Sequence, residues 1–573
     1  MIKRIFISYR DRIVLFIFPL ALISINSNWI FTPVTNYIPD PWFYLGYFRY
    51  FYEYAPFFPS NTHYFVERLT WNIPGHYLHK IFPPLQANYI LHLIVYYVAS
   101  FSLYGTLHLI TNRRTALIGA LLMGSYPWFL RAVGWDYTDG LGIAQMLLLI
   151  YLITLAHYSD QWRLCFLLAG AVFSSLLITN LFWISYLPSW GVYLLVLNLG
   201  TKRLTFKQLV LGASYFFFGS IFTLVLGGLF YYWATGDYFF LKNSIRFSIS
   251  LSSDEINRRN VRFIYGHLRP YWHVVPAIVG LIATWQFWFS RPDKKSYSFT
   301  AVYLLFVIAY GWLIIWHFSS VPLLIIYTYC SFIIPTVFLV LGTLLSGFLK
   351  GVSEKSFNVI IAASITLLIL PFLILRILPA IEDLQGNIVV IAAVSLFTIV
   401  IMAIPKRRTS IFAVISTLSV LFYLVSENSY VHVANPRSGR DNFLAILSAS
   451  EVLDTYHSNH THKEFRLWFR SDENYDTFFS LAGLYLYPWG VALGNPNSRE
   501  TPPVNFSLAE TDILQDENSI VILSSNPSSQ EVLQEANRST LSRNAVLKLV
   551  RVKTIQQDTT RFFLYFTKVD LIH

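Results

Sequence analysis

The sequence predicts a polytopic α-helical membrane protein that carries a small α/β domain at its C-terminal end. Three observations predict it. Of the 573 residues, 55% are hydrophobic and 13% charged, whereas soluble proteins carry about 25% charged residues. Apolar runs long enough to cross a bilayer, about 20 residues each, recur with the charges confined between them. Beyond residue 427 the composition turns rich in Asn, Ser, Asp and Glu, and strand-like runs appear.

The elements follow in chain order. "MIKRIFISYRDRIVLFIFPLALISI" is basic and then apolar, like a signal peptide. It lacks a small-residue cleavage site and many spans follow it, so it reads as an uncleaved first helix. The candidate spans are 12–30, 88–110, 115–132, 138–157, 164–180, 183–200, 208–232, 272–290, 298–316, 322–348, 357–377, 388–404 and 411–426, about thirteen transmembrane helices. Lys3, Arg4, Arg10 and Arg12 place the N-terminus in the cytoplasm. The basic loops "TNRRT", "TKRLTFK", "SRPDKKS", "KGVSEK" and "PKRRT" then fall on that same side. The net charge of +11 is therefore spent on topology in small clusters rather than on one patch, which argues against nucleic-acid binding. Cys165 and Cys330 lie inside apolar runs and read as small core residues rather than a disulfide.

Residues 1–426 form the membrane body, with large outer loops at 31–87 and 233–271. Residues 427–573 form an extracytoplasmic domain. Its strands are expected at "FRLWF" (465–469), "SIVILSS" (519–525), "AVLKLVRVKTI" (545–555) and "RFFLYFTKV" (561–569), alternating with helices at 442–457 and 528–536.

Charge on the outer side carries the functional signal. The first outer loop holds Asp40 within "DPWFYLGYFRYFYEYAPFF", a stretch whose aromatics suit the membrane interface. Asp before Pro41 makes a good helix start, so Asp40 reads either as an N-cap or as an acid facing a wet cavity, and the two roles are compatible. "FVERLTWNIPG" sets Glu67 beside Arg68, and "RAVGWDYTDGLGIAQ" holds Asp136 and Asp139 in a short turn. Paired carboxylates serve as base and orienter, as metal ligands, or as helix caps. Loop 233–271 adds Lys242, Arg246, Arg258, Arg259, Arg262 and Arg269. Outer loops are poor in Lys and Arg when topology is the only pressure. Cations there point to an anionic ligand, because a guanidinium fork matches two phosphate oxygens. The bland alternative is contact with lipid headgroups. "HYLHK", containing His76 and His79, and "YHSNHTHKE" have spacings a metal can use, but solvated histidines are the commoner reading. There is no phosphate-cradling glycine loop, which argues against an ATP-driven pump.

Over roughly residues 1–350, "YIPDPWFYLGYF", "YFVERLTWNIPG" and the "WDYTDG" turn, between an N-in first helix and a multi-span body, resemble the GT-C superfamily of integral-membrane glycosyltransferases. The similarity is to the bacterial relatives of protein O-mannosyltransferases and of lipid A aminoarabinose transferases. The resemblance implies transfer of a sugar from a polyprenyl-phosphate donor to an acceptor hydroxyl on a lipid, glycan or protein, at the outer face of a bacterial inner membrane. It implies Asp40 as base or acceptor-orienting carboxylate, and Asp139 or Asp136 as the second outer acid. Arg68 would stand near the donor phosphate with Arg246, Arg262 and Arg269, and Glu67 and His76 would support them. No cofactor and no metal site is expected, a divalent ion staying open as an alternative. The family's late His-Arg-Tyr stretch corresponds to "HFSSVPLLIIYTYCSFIIP" (317–335), which has no Arg.

The chemistry is consistent with this layout: cations stabilise the departing phosphate, a carboxylate takes the acceptor proton with inversion, and an amphipathic roof excludes water. A transporter or flippase of lipid-linked glycans is the rival. Transporters place polar groups at the membrane midplane, whereas here the charge is piled at one surface.

Overall fold

The computed structural model describes residues 9–25, 40–57, 64–253, 271–289, 297–319, 331–349, 353–377, 436–459, 465–469, 519–540, 545–557 and 560–571, with the single positions 477, 478, 481 and 484. The runs expected at 388–404 and 411–426, together with Arg262, Arg269 and Cys330, lie outside the described residues. Packing divides the chain into two units. One comprises Met1–Phe31, Ser60–Pro74 and Gln86–His432, and the other Thr32–Pro59, Gly75–Leu85 and Val433–His573.

In the first unit, α1 (Tyr9–Ile25) is tied down at its start. The buried Asp11 carboxylate accepts from Tyr104 Oη at 2.7 Å and from Arg113 Nε and Nη2 at 2.6 and 2.8 Å. An acid inside an apolar helix is tolerated only with such partners. Past α2 (Asp40–Phe57) and α3 (Leu69–Ile81), the chain continues into α4 (Pro84–Ile110). It then forms α5 (Arg113–Ser125) and α6 (Pro127–Gly134). The single span expected at 115–132 is a pair bent by 64°. Pro127, at the start of α6, supplies no N–H to the α5 ladder, and Tyr126 is extended (φ −68°, ψ 120°).

Next come α7 (Thr138–Ala156), α8 (Trp162–Thr179), α9 (Leu187–Thr201), preceded by a 3-10 turn at Leu181–Tyr186, and α10 (Phe206–Thr235). The starts and stops follow local chemistry. Thr205 and Gln208 form a capping box at the head of α10, and Gly236 (φ 74°) ends it in the left-handed region. Helix α11 (Lys242–Ser253) is short; α12 (Tyr271–Phe289), α13 (Tyr297–Ser319), α14 (Ile334–Leu349) and α15 (Glu354–Ile377) complete the described part of the unit. Among the described residues, six helices are long and apolar enough to cross a membrane, or seven if the bent pair counts as one span.

α8 and α10 meet along small residues. A Cβ on Gly170 would strike the backbone of Phe216, and one on Gly219 the backbone of Leu167. Ser174 Oγ donates to the Ser220 carbonyl at 2.9 Å, and Ser220 Oγ returns a bond to the Gly170 carbonyl at 3.0 Å. With no hydrophobic drive between helices in lipid, such close backbone packing holds them together.

Among the described residues, the second unit has a four-stranded sheet with β1 (Phe465–Phe469), β2 (Ser519–Ser524), β3 (Ala545–Gln557) and β4 (Thr560–Leu571) in the order β1-β2-β4-β3. β1 and β2 are parallel, and the other pairs antiparallel. Helix α16 (Pro436–Asn459) and helix α17 (Ser529–Thr540) pack against it. Alternation along β4 separates the two faces. Phe563 and Tyr565 join Ile522, Leu547, Val532 and Ala536 in a core under α17, while Phe566 meets Tyr456 of α16, with ring centroids 4.5 Å apart. Strands and helices occupy the stretches expected from the sequence, to within a few residues at most ends.

Helix α2 belongs to this unit. Its Trp42, Tyr44, Leu45, Tyr47 and Phe48 are fully buried, and Trp42 lies 6.0 Å from Phe443 of α16, centroid to centroid. The helix breaks at Tyr50 (φ −128°, ψ 40°).

Candidate active site

Two short segments of the first unit bring its buried polar groups together. One is the 3-10 turn Tyr64–Glu67 followed by Arg68. The other is the turn from Trp135 to Tyr137 that opens α7. Trp135 and Tyr137 are extended, and the first turn of α7 backs directly onto α6. A side chain at Gly140 would meet the Ala132 carbonyl and Val133 Cα. Glycine here permits the close approach, and Asp136, Thr138 and Asp139 are all buried as a result.

Asp136 is held from α4. Its Oδ1 lies 2.7 Å from His92 Nε2, and its Oδ2 accepts from Asn88 Nδ2 at 2.9 Å. The other ring nitrogen of His92, Nδ1, donates to the Val133 carbonyl. Both His92 and Asp136 are fully buried. Each carboxylate oxygen thus has a partner, which is what makes a buried acid tolerable. Neither His92 nor Asn88 was singled out from the sequence. The signal was present: they stand four residues apart on one face of an otherwise apolar span.

Asp139 is 1% exposed in the first turn of α7, where the positive end of the helix dipole favours a carboxylate. Arg68 is 6% exposed. Its Nη1 donates to Thr138 Oγ1 at 2.8 Å, and the guanidinium carbon lies 4.6 Å from the Tyr64 ring centroid and 5.7 Å from that of Tyr137. Arg68 is therefore docked on the same turn that carries Asp136 and Asp139. Ring faces hold a guanidinium without neutralising it.

Glu67 turns elsewhere. Its Oε1 and Oε2 accept the backbone N–H groups of Asn243 and Ser244 at 2.9 and 2.8 Å, so this fully buried carboxylate caps the start of α11. Burial raises the carboxyl above its usual range, and the hydrogen bonds from Ser244 and Asn243 oppose that shift without cancelling it. Tyr64 stacks on Phe247 of α11 with centroids 4.3 Å apart. These two contacts fasten α11, whose Arg246 is exposed, to the turn that bears Arg68.

Asp40 and His76 lie in the second unit. Asp40 opens α2 and is half-buried. His76 is buried, its Nδ1 2.9 Å from the Phe48 carbonyl and its ring 5.1 Å from that of Tyr52. Among the described residues, no group of three or more His, Cys, Asp or Glu is disposed to hold a metal ion.

No family model and no curated protein matches the sequence. Among solved structures, ArnT from Cupriavidus metallidurans bound to undecaprenyl phosphate is similar over 97% of this chain and 98% of that one, at a TM-score of 0.55 and 13% identity. The chain has the fold of this ArnT. The apo state of the same ArnT aligns over 96% of this chain and 97% of that one (TM-score 0.48, 14% identity). An Archaeoglobus fulgidus oligosaccharyltransferase aligns over 64% and 55% (TM-score 0.39, 13% identity). The fold assignment rests on the first of these. Within this fold, the 3-10 turn and the Asp136–Asp139 turn each hold buried charge in the first unit.

Proposed function

We propose that the protein is a glycosyltransferase that moves a sugar from a polyprenyl-phosphate-linked donor to an acceptor hydroxyl on a lipid, glycan or protein, at the outer face of the inner membrane and with inversion. The observation that carries the reading is Arg68, a buried guanidinium docked on a turn with two buried aspartates, in a chain with the fold of ArnT, itself solved with undecaprenyl phosphate. Arg68, with Arg246, Arg262 and Arg269 from the cationic loop, receives the donor phosphate and stabilises charge on it as the glycosidic bond breaks. A carboxylate takes the acceptor proton. Asp136 is the weaker candidate for that step, since both its oxygens are already bonded within α4. Asp139 and Asp40 remain, and Glu67 acts by holding α11. The basic clusters support an N-terminus inside and residues 427–573 outside. The cations and acids that the sequence gathers in its expected outer loops favour surface chemistry over transport.

The test is incubation of the purified protein with radiolabelled polyprenyl-phosphate sugars and cell-envelope extract. Label is expected to move to an acceptor, and Arg68→Ala to weaken donor binding by about 1.5–3 kcal/mol, the range for a charge-assisted hydrogen bond. Movement of the intact lipid-linked sugar across vesicles, without transfer, would replace this reading with the transporter.

A further inference from the structure

The second unit gives the C-terminal segment a specific relation to the helix that begins with Asp40. Trp42 of α2 meets Phe443 of α16. Seven residues further along both helices, Arg49 Nη1 donates to Ser450 Oγ. Seven residues are about 10.5 Å of helix, so α2 and α16 run side by side in the same direction, in step over two turns. One turn beyond Ser450, the Asp454 carboxylate accepts from Arg49 Nη2 at 2.9 Å and from Tyr50 Oη at 2.7 and 2.5 Å. Arg49 is the residue just before the break in α2 and Tyr50 the break itself, since Tyr50 is where the dihedrals leave the helical region before helix resumes. Asp454 thus grips both side chains at the point where α2 changes direction. The pair is largely shielded, with the Arg49 and Asp454 side chains 14% and 29% exposed.

We propose that Asp454 is a positioning residue: it clamps the Arg49–Tyr50 break and so fixes the register of α2 on α16, and with it the placement of Asp40 at the head of α2. The C-terminal domain acts in this scheme as a strut for the outer-loop helix, its sheet anchoring α16 through Tyr456 on Phe566 and Thr560 on Asn442. Its activity readout rests on the proposed transfer reaction; its structural readout does not.

The experiment uses the full-length protein in detergent or nanodiscs, comparing Asp454→Ala, Asp454→Glu and Arg49→Ala by amide hydrogen exchange and by transfer kinetics. A clamp made of charge-assisted hydrogen bonds predicts that Asp454→Ala speeds exchange across residues 40–57 about tenfold or more while β2, β3 and β4 keep their protection. It predicts a kcat about tenfold lower with the KM for the lipid donor unchanged, partial rescue in Asp454→Glu, and no further loss when Arg49→Ala is added. Unchanged exchange in 40–57 overturns the proposal. So does equal acceleration in the strands, which would make Asp454 a plain stabiliser of the domain. Faster exchange confined to α2, in a protein whose wild type transfers no sugar, supports the clamp and overturns the transfer reaction instead.

Discussion

Replacing His92 and Asp136, singly and together, tests the buried turn through the order of the variants' stabilities. His92→Ala removes the donor to the Val133 carbonyl and the partner of Asp136 Oδ1, leaving a fully buried carboxylate with Asn88 alone. Breaking a buried pair in this way costs about 3–5 kcal/mol. Asp136→Asn differs in kind. Its amide group can sit where Oδ1 was and donate to His92 Nε2, while its carbonyl takes the place of Oδ2 and accepts from Asn88. His92 Nδ1 keeps the Val133 carbonyl throughout. Each of these hydrogen bonds keeps a counterpart and no charge is buried, so a cost of about 1 kcal/mol or less is expected. Adding Asp136→Asn to His92→Ala removes the stranded charge, and the double variant should recover about 2 kcal/mol of the loss, a coupling that only a direct interaction produces. The assay is the unfolding midpoint of the four purified proteins in one detergent, followed by transfer activity of those that remain folded. If Asp136→Asn is as damaging as His92→Ala, the hydrogen-bond scheme is wrong. If it stays folded yet loses all transfer, Asp136 is the reacting acid and Asp139 the support.

Three further outcomes are expected. Asp40→Asn should fold and bind the donor, because Asn caps a helix about as well as Asp, but should lose about a hundredfold to ten-thousandfold in transfer rate; near-normal turnover would reduce Asp40 to a cap. Glu67 holds its proton more firmly folded than unfolded because burial raises its carboxyl, so its contribution is most favourable at acid pH and declines as pH rises through the usual carboxylate range toward the raised folded value. Glu67→Gln should remove that slope, and a wild-type protein that instead loses more stability than the variant on acidification, over that window, contradicts the assignment. Gly219→Leu drives a side chain into the Leu167 backbone and should lower stability by about 1–3 kcal/mol or more, whereas Phe218→Leu, on the exposed side of α10, should be nearly silent in thermal unfolding.

The C-terminal strands were legible because β-branched and aromatic runs stand out against a polar background. β4 buries residues on both faces, under α16 and α17, so it reads as a continuous apolar run and not as an alternation. The break between α5 and α6 was also written in the sequence, as Pro127, but the apolar run on either side masks it. Glu67 is the opposite case. Its neighbour in sequence is a cation, which suggests a pair, yet its bonds go to backbone N–H groups of Asn243 and Ser244. Backbone donors of a distant helix carry no side-chain signature, so local reading cannot find them. Arg68, Asp136 and Asp139 were visible as charges out of place in an aromatic setting. What the sequence did not disclose is what holds them: His92 and Asn88 of α4 on Asp136, and Thr138 on Arg68.

The seam between α8 and α10 bears on how this protein can change over time. Large apolar residues on α10 such as Phe217, Phe218, Ile221, Phe222, Leu229 and Trp233 are exposed, and in a bilayer a Leu, Phe or Ile serves equally well at such positions. Gly170, Gly219, Ser174 and Ser220 have no such latitude, because backbone lies where a larger side chain would go and the hydroxyls bridge helix to helix. Most of the span is thus free to drift while a few small residues hold still. Chains can keep this backbone long after most of their side chains have diverged, and the residues that persist will often be glycines and serines rather than the bulky ones that dominate the composition.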